Sequence, residues 1–267
     1  MLRSLVGSEM CIRDRDRIDH MGLFLIVFLI GLIFGSFLNV LIHRLPLGIS
    51  ILKPIGSVCP NCQYKIKWYE NIPVFSYALL KRKCSSCCKP ISTLYPVVEI
   101  LTASITLILY INYWLNFELI VTIILFYTLI VLSFIDLKYK AVPDYLLIIS
   151  VALALLIGDL TNILLFAGGF VLLELVITFY IQNIKAKITK NKELETQTAL
   201  GEGDIPIAGI IGGLLGIHLG ISAIFLGALL ALLPALFNLF SKNEIETAFI
   251  PFLSLGLFIT FITDCLL

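Results

Sequence analysis

The sequence predicts an all-α, polytopic membrane protein with about eight transmembrane helices and a cytoplasmic loop that bears cysteines. Three observations carry that expectation. Of the 267 residues, 59% are hydrophobic and 14% charged, with mean hydropathy +1.02, a composition foreign to a water-soluble globule of this length. The apolar residues gather into runs close to the roughly 20 residues with which a helix crosses a bilayer. The basic residues fall on alternate connections between those runs.

In chain order, the first twenty residues, MLRSLVGSEMCIRDRDRIDH, alternate Arg and Asp too densely for a signal peptide and read as a non-native tail. Met21 then opens the first transmembrane helix, over 21–41. A polar segment follows at 42–95, and 96–267 returns to the membrane. The apolar runs lie near 22–41, 96–116, 118–135, 143–158, 160–182, 204–219, 221–240 and 249–267. Outside them the sizeable soluble pieces are 42–95 and 184–203.

Charge orients this arrangement. From Met21 onward there are fifteen Lys and Arg: eight in 42–95, Lys138 and Lys140, four over 185–192, and Lys242. With eight spans all of them fall on one side, and the connections near 117, 159 and 220 contain none. By the positive-inside rule the basic side is the cytoplasm.

Two carboxylates stand at that boundary. Asp136 closes the third run and Asp204, within GEGDIPIAG, opens the sixth. A single acid there would read as a solvated residue or a helix cap, and Asp144 after Pro143 fits that plain chemistry. Asp204 differs in its setting. Gly201 and Gly203 flank Glu202, and the following helix is rich in glycine, so backbones can approach closely. The helix dipole disfavours a charge on Asp136 and favours one on Asp204. If the carboxyl groups meet, the pair holds one proton, and one acid can activate water while the other polarises a carbonyl. Glu174 falls near the middle of the fifth run, where a bundle-interior hydrogen bond is the expected role, as also for Glu99. Glu118, Asp159 and Asp264 read as boundary charges.

Cys59, Cys62, Cys84 and Cys87 form C-x2-C-x21-C-x2-C. Four thiolates at this spacing suit tetrahedral zinc; disulfides are the alternative, which a reducing cytoplasm weighs against. Cys88 reads as a bystander.

These strings together resemble the type IV prepilin leader peptidase / N-methyltransferase family, GxGD-type bacterial membrane aspartyl proteases. The resemblance runs from Met21 onward through GSFLNVLIHRLP, CPNCQYKIKWYENIPVFSY, CSSC, YPVVEI, FID with VPD, GEGD and IPF, in that order. It implies that Asp136 and Asp204 are the catalytic pair, that Gly201, Gly203, Pro143 and Asp144 belong to the active-site loops, and that 96–267 is the peptidase domain. The implied substrates are prepilins or pseudopilins, cut where a basic leader meets an apolar segment at the inner (cytoplasmic) membrane of a bacterium. No nucleic-acid partner is implied. S-adenosylmethionine is implied as methyl donor for the new N-terminus, with Asn39 at the end of the first helix and His43, Arg44, Glu70 and Asn71 from 42–95 as contributors. The chain departs from the family pattern at Lys138, Pro206 and Arg82, where an acid, a lysine and a glycine are common. None of these removes a catalytic carboxyl. The competing expectations are a peptidase without methyl transfer, a transporter and an inactive scaffold.

Overall fold

The computed structural model describes residues 3–51, 56–59, 61–113, 115–189, 201, 203–241 and 248–266. Its described residues are helical, with two isolated β-bridges, Val58 to Lys65 and Lys83 to Pro90. They group into two compact units. The first holds α1 (Arg3–Arg44), the cysteine loop and α3 (Leu94–Asn112); the second holds everything from Asn116 onward.

In the first unit α1 and α3 pack antiparallel with their backbones touching. A Cβ on Gly31 would lie 2.6 Å from the Cα of Ala103, and one on Gly35 would lie 2.6 Å from that of Glu99. Glycines four residues apart lie on one helix face, and without side chains they let helices meet by van der Waals contact in lipid. Asn39, one turn on, donates to the Tyr95 carbonyl at 3.1 Å. The loop between the helices contains a 3₁₀ turn (Trp68–Asn71) and the short α2 (Phe75–Leu79). It is tied down by Glu99, buried on α3, which accepts the Val74 N–H at 2.7 Å. The expected interior hydrogen bond of Glu99 is thus present.

The second unit contains α4 (Phe117–Tyr139), α5 (Asp144–Ile157) and α6 (Leu160–Phe179), which continues through a π-helical turn (Tyr180–Lys185) into α7 (Ala186–Thr189). α8 (Asp204–Ser241) and α9 (Ile250–Leu266) complete it. Asn116 caps α4 by accepting the Leu119 N–H at 2.8 Å, and Asp159 caps α6 at Thr161 and Asn162, a more specific role than a boundary charge. α4 ends where Lys140 turns left-handed and returns its N–H to the Asp136 carbonyl.

α8 replaces two expected runs, but it is not straight. Gly216 has φ 70 and ψ −169, conformation open to glycine alone, and a Cβ on Gly220 would lie 3.5 Å from the Cα of Gly212. Residues eight apart in an unbroken helix are separated by about 12 Å, so the chain folds back at Gly216. The reversal comes four residues before the connection near 220 that the run lengths suggest. The first arm packs antiparallel on α6, with Gly213 against Ile163 and Gly209 against Ile163 and Ala167; the second packs on α9, Gly227 against Phe252 and Leu253.

α4 is the inner helix, with Leu125, Leu129, Leu132 and Ile135 fully buried and Phe126 edge-on to Phe258 and Phe261. The opposite surfaces are apolar as well: Ile148, Leu172 and Phe225 are 68%, 65% and 69% exposed. An apolar outer face belongs in lipid, not water. Among the described residues, five helical segments are long and apolar enough to cross a membrane: Met21–Arg44, Leu94–Asn112, Phe117–Tyr139, Leu160–Ile188 and Asp204–Leu236. Asp144–Ile157 and Ile250–Asp264 are shorter apolar helices.

Candidate active site and metal centre

Asp136 lies in the last turn of α4, half-buried, and its Oδ2 accepts the Ile250 N–H at 3.2 Å. The amide comes from the first turn of α9, where free N–H groups and the helix dipole offset the unfavourable helix end on which Asp136 sits. Here the IPF string at 250–252 acquires a role that the sequence did not supply. Asp204, 5% exposed, is the first residue of α8, and its Oδ2 accepts the Gly201 N–H at 3.1 Å while its own N–H returns to the Gly201 carbonyl.

Both glycines of the motif answer to space. A Cβ on Gly201 would stand 3.3 Å from Asp204 Oδ2, and one on the buried Gly203 would be 2.8 Å from Val142 and 2.9 Å from Ile250. Gly203 therefore brings the start of α8 against the same residue whose amide binds Asp136. The two acids are close enough for the charge of Asp136 to act on Asp204, and that of Glu174 does so too. Asp144 is exposed on the first turn of α5, behind Pro143, and makes no recorded hydrogen bond.

In the loop of the first unit, each Cys pair forms the same turn. Gln63 donates its N–H to the Cys59 carbonyl at 2.9 Å and Cys88 to that of Cys84 at 3.0 Å; both donors are left-handed, at φ 58 and 56. Each turn is closed by one of the two β-bridges. The four Sγ atoms all lie within 4.8 Å of one another, Cys59 to Cys87 at 3.9 Å and Cys62 to Cys84 at 4.0 Å. Cys88 is outside this group, exposed, and serves as the left-handed residue of its turn. The Tyr64 N–H holds the Cys62 thiol below its usual range. Although the Lys89 N–H favours a thiolate at Cys87, desolvation and the neighbouring thiols push that group up to about 11. Four such sulfurs ionise together only around a cation, so the cluster can hold a metal ion.

Two of the remaining candidates near this loop, Arg44 and Glu70, are already engaged. Arg44 is buried and donates to the carbonyls of Ser50, Ile51 and Gly56 at 3.0–3.1 Å. Glu70 accepts the Lys67 N–H at 3.0 Å, and this bond, with help from the Ser85 hydroxyl, holds its carboxyl below the usual range. Asn71 is exposed and His43 half-buried.

The fold and the site define a multi-pass helical membrane protein with two aspartates at helix ends that share Ile250 as a neighbour and a four-cysteine cluster that can hold a metal ion. Residues 29–113 match the bacterial peptidase A24 N-terminal domain, and residues 123–236 match the type IV leader peptidase family. The prepilin leader peptidase/N-methyltransferase of Neisseria gonorrhoeae is 30% identical, covering 87% of each chain. The protein of the same name from Vibrio cholerae is 33% identical over 73% of this chain and 79% of its own. That of Myxococcus xanthus is 42% identical over 44% of this chain and 35% of its own. No solved structure matches. The chain belongs to the type IV leader peptidase family, a family of aspartic proteases.

Proposed function

We propose that the protein removes the basic leader of type IV prepilins or pseudopilins at the cytoplasmic face of a bacterial inner membrane, using Asp136 and Asp204. The observation that carries this reading is the convergence on Ile250: its amide binds Asp136, and its side chain packs on the glycine preceding Asp204. Like-charged carboxyls at such a site favour a pair that holds one proton. The ionised member takes a proton from water, whose oxygen bonds to the scissile carbonyl carbon while the other member protonates the carbonyl oxygen. Collapse of the tetrahedral adduct breaks the C–N bond, and the departing amine takes up a proton. The curated relatives carry the prepilin name, and the excess of basic residues on one side supports the orientation.

The metal of the loop is zinc in this reading. Zinc–thiolate bonds of about 2.3 Å in a tetrahedron require sulfurs roughly 3.8 Å apart. The 3.9 and 4.0 Å separations need slight contraction, and the others, none above 4.8 Å, at most about 1 Å. Cys59, Cys62, Cys84 and Cys87 would hold it, stapling a loop with little core of its own. Bound S-adenosylmethionine would supply a methyl group to the new N-terminus, with Glu70 and Asn71 of the 3₁₀ turn among the residues that would hold it.

A second reading, cleavage without methylation, is favoured by one residue. Arg82 sits at φ 65, left-handed backbone suited to the glycine common at this place in the family. Incubating the purified protein with a prepilin, with and without methyl donor, and weighing the products decides between them. Leader loss with a methyl gain is expected; leader loss alone supports the second reading, and an intact prepilin refutes both.

A further inference from the structure

Glu174, near the middle of its apolar segment, stands level with the start of α8 in the folded protein. The contacts of Gly213 with Ile163 and of Gly209 with Ala167 fix an antiparallel register in which four residues down α8 match four residues up α6. Extended to the start of α8, that register sets Asp204 opposite about residue 172 of α6, within one turn of Glu174.

The face is also determined. Ile163, Phe166 and Ala167 touch α8, and Glu174 continues their stripe at helical spacing. On α6 the half-buried or buried positions from 162 onward are 162, 163, 166, 167, 170, 174, 177 and 178, whereas Leu172, Leu173, Leu175 and Val176 between them are exposed. Glu174 is the sole charged residue of Leu160–Phe179. Among the described residues it has no recorded hydrogen bond or ion pair, and its charge reaches Asp204. An acid kept on the inner face of an apolar helix, near a candidate catalytic carboxyl and without a countercharge among the described residues, is costly unless something else supplies the cation.

We propose that Glu174 is a specificity residue of the peptidase site, pairing with a Lys or Arg side chain of the substrate's leader as the scissile bond settles between Asp136 and Asp204. This inference rests on the prepilin reading above and adds to it a named contact. A charge-assisted hydrogen bond in a partly dehydrated site typically favours the matched substrate by about 10- to 100-fold. Lysine and arginine both satisfy the contact, so it selects charge and not one residue.

The test uses the full-length protein and two prepilins, one with its basic leader and one with the leader Lys and Arg changed to Gln. The unmutated protein cleaves the basic leader at least tenfold more efficiently. In Glu174→Gln that preference falls to near one through a higher KM on the basic leader. Glu174→Asp retains the preference, and Glu174→Lys cleaves a leader carrying Glu in place of Lys faster than the unmutated protein does. Equal loss on both leaders in Glu174→Gln, or a preference that survives it, overturns the assignment. Failure of the unmutated protein to cleave either prepilin overturns the peptidase reading instead, and this inference with it.

Discussion

Asp136 and Asp204 each bind a backbone amide through Oδ2, one across to α9 and one within its own loop. Exchange of either carboxyl for an amide keeps the shape but removes the proton exchange that the proposed mechanism needs. Asp136→Asn and Asp204→Asn are therefore expected to abolish prepilin cleavage while the protein accumulates normally in the membrane. Asp144→Asn, exposed at a helix start, removes about 0.3–1 kcal/mol of dipole interaction and leaves cleavage nearly intact. Product mass spectra check all three, and cleavage by either of the first two variants would exclude the pair. Arg82 supplies a second residue-level prediction. A non-glycine residue in left-handed backbone is strained by roughly 1–2 kcal/mol, offset in part where Arg82 donates to the Tyr77 hydroxyl at 3.0 Å. Arg82→Gly is expected to slow alkylation of the loop cysteines and to raise the methylated fraction of the product. Unchanged alkylation would mean that the lost Tyr77 contact matters as much as the strain.

At the scale of elements, the cysteine loop stands out because secondary structure gives it little support. It has one 3₁₀ turn, a five-residue helix and two single bridges, with the Glu99 bond to Val74 and the Arg44 bonds to three carbonyls tying its ends. A loop of this kind needs a staple. Protein purified under reducing conditions is expected to carry about one zinc per chain, and a strong chelator should expose all four thiols to alkylation. Four thiols that react freely without chelator, in protein free of metal, would exclude the staple. The α1–α3 pair needs no such support, since Gly31 and Gly35 let two long apolar helices meet backbone to backbone.

At the scale of the whole molecule, the basic residues predict which ends of the helices face the cytoplasm. Cysteines introduced at Leu115 and Thr161 are expected to react with a membrane-impermeant maleimide from outside intact cells, and one at Lys140 only after lysis. The reverse pattern would invert the orientation. Length and apolar content alone made the membrane helices legible, because lipid demands whole runs of apolar side chains whatever their packing. The cysteine spacing was legible too, since each C-x2-C fits one local turn, and Asp136 and Asp204 stood out through the motif strings around them. The tertiary structure alone decided where the chain reverses within α8, because several glycines compete for the turn and φ singles out Gly216. It alone gave Ile250 its amide contact with Asp136, a pairing 114 residues apart along the chain. It also set Glu174 level with Asp204. A run of sequence reports how long an apolar helix is, whereas the depth of any residue on it depends on the neighbour against which the helix is registered.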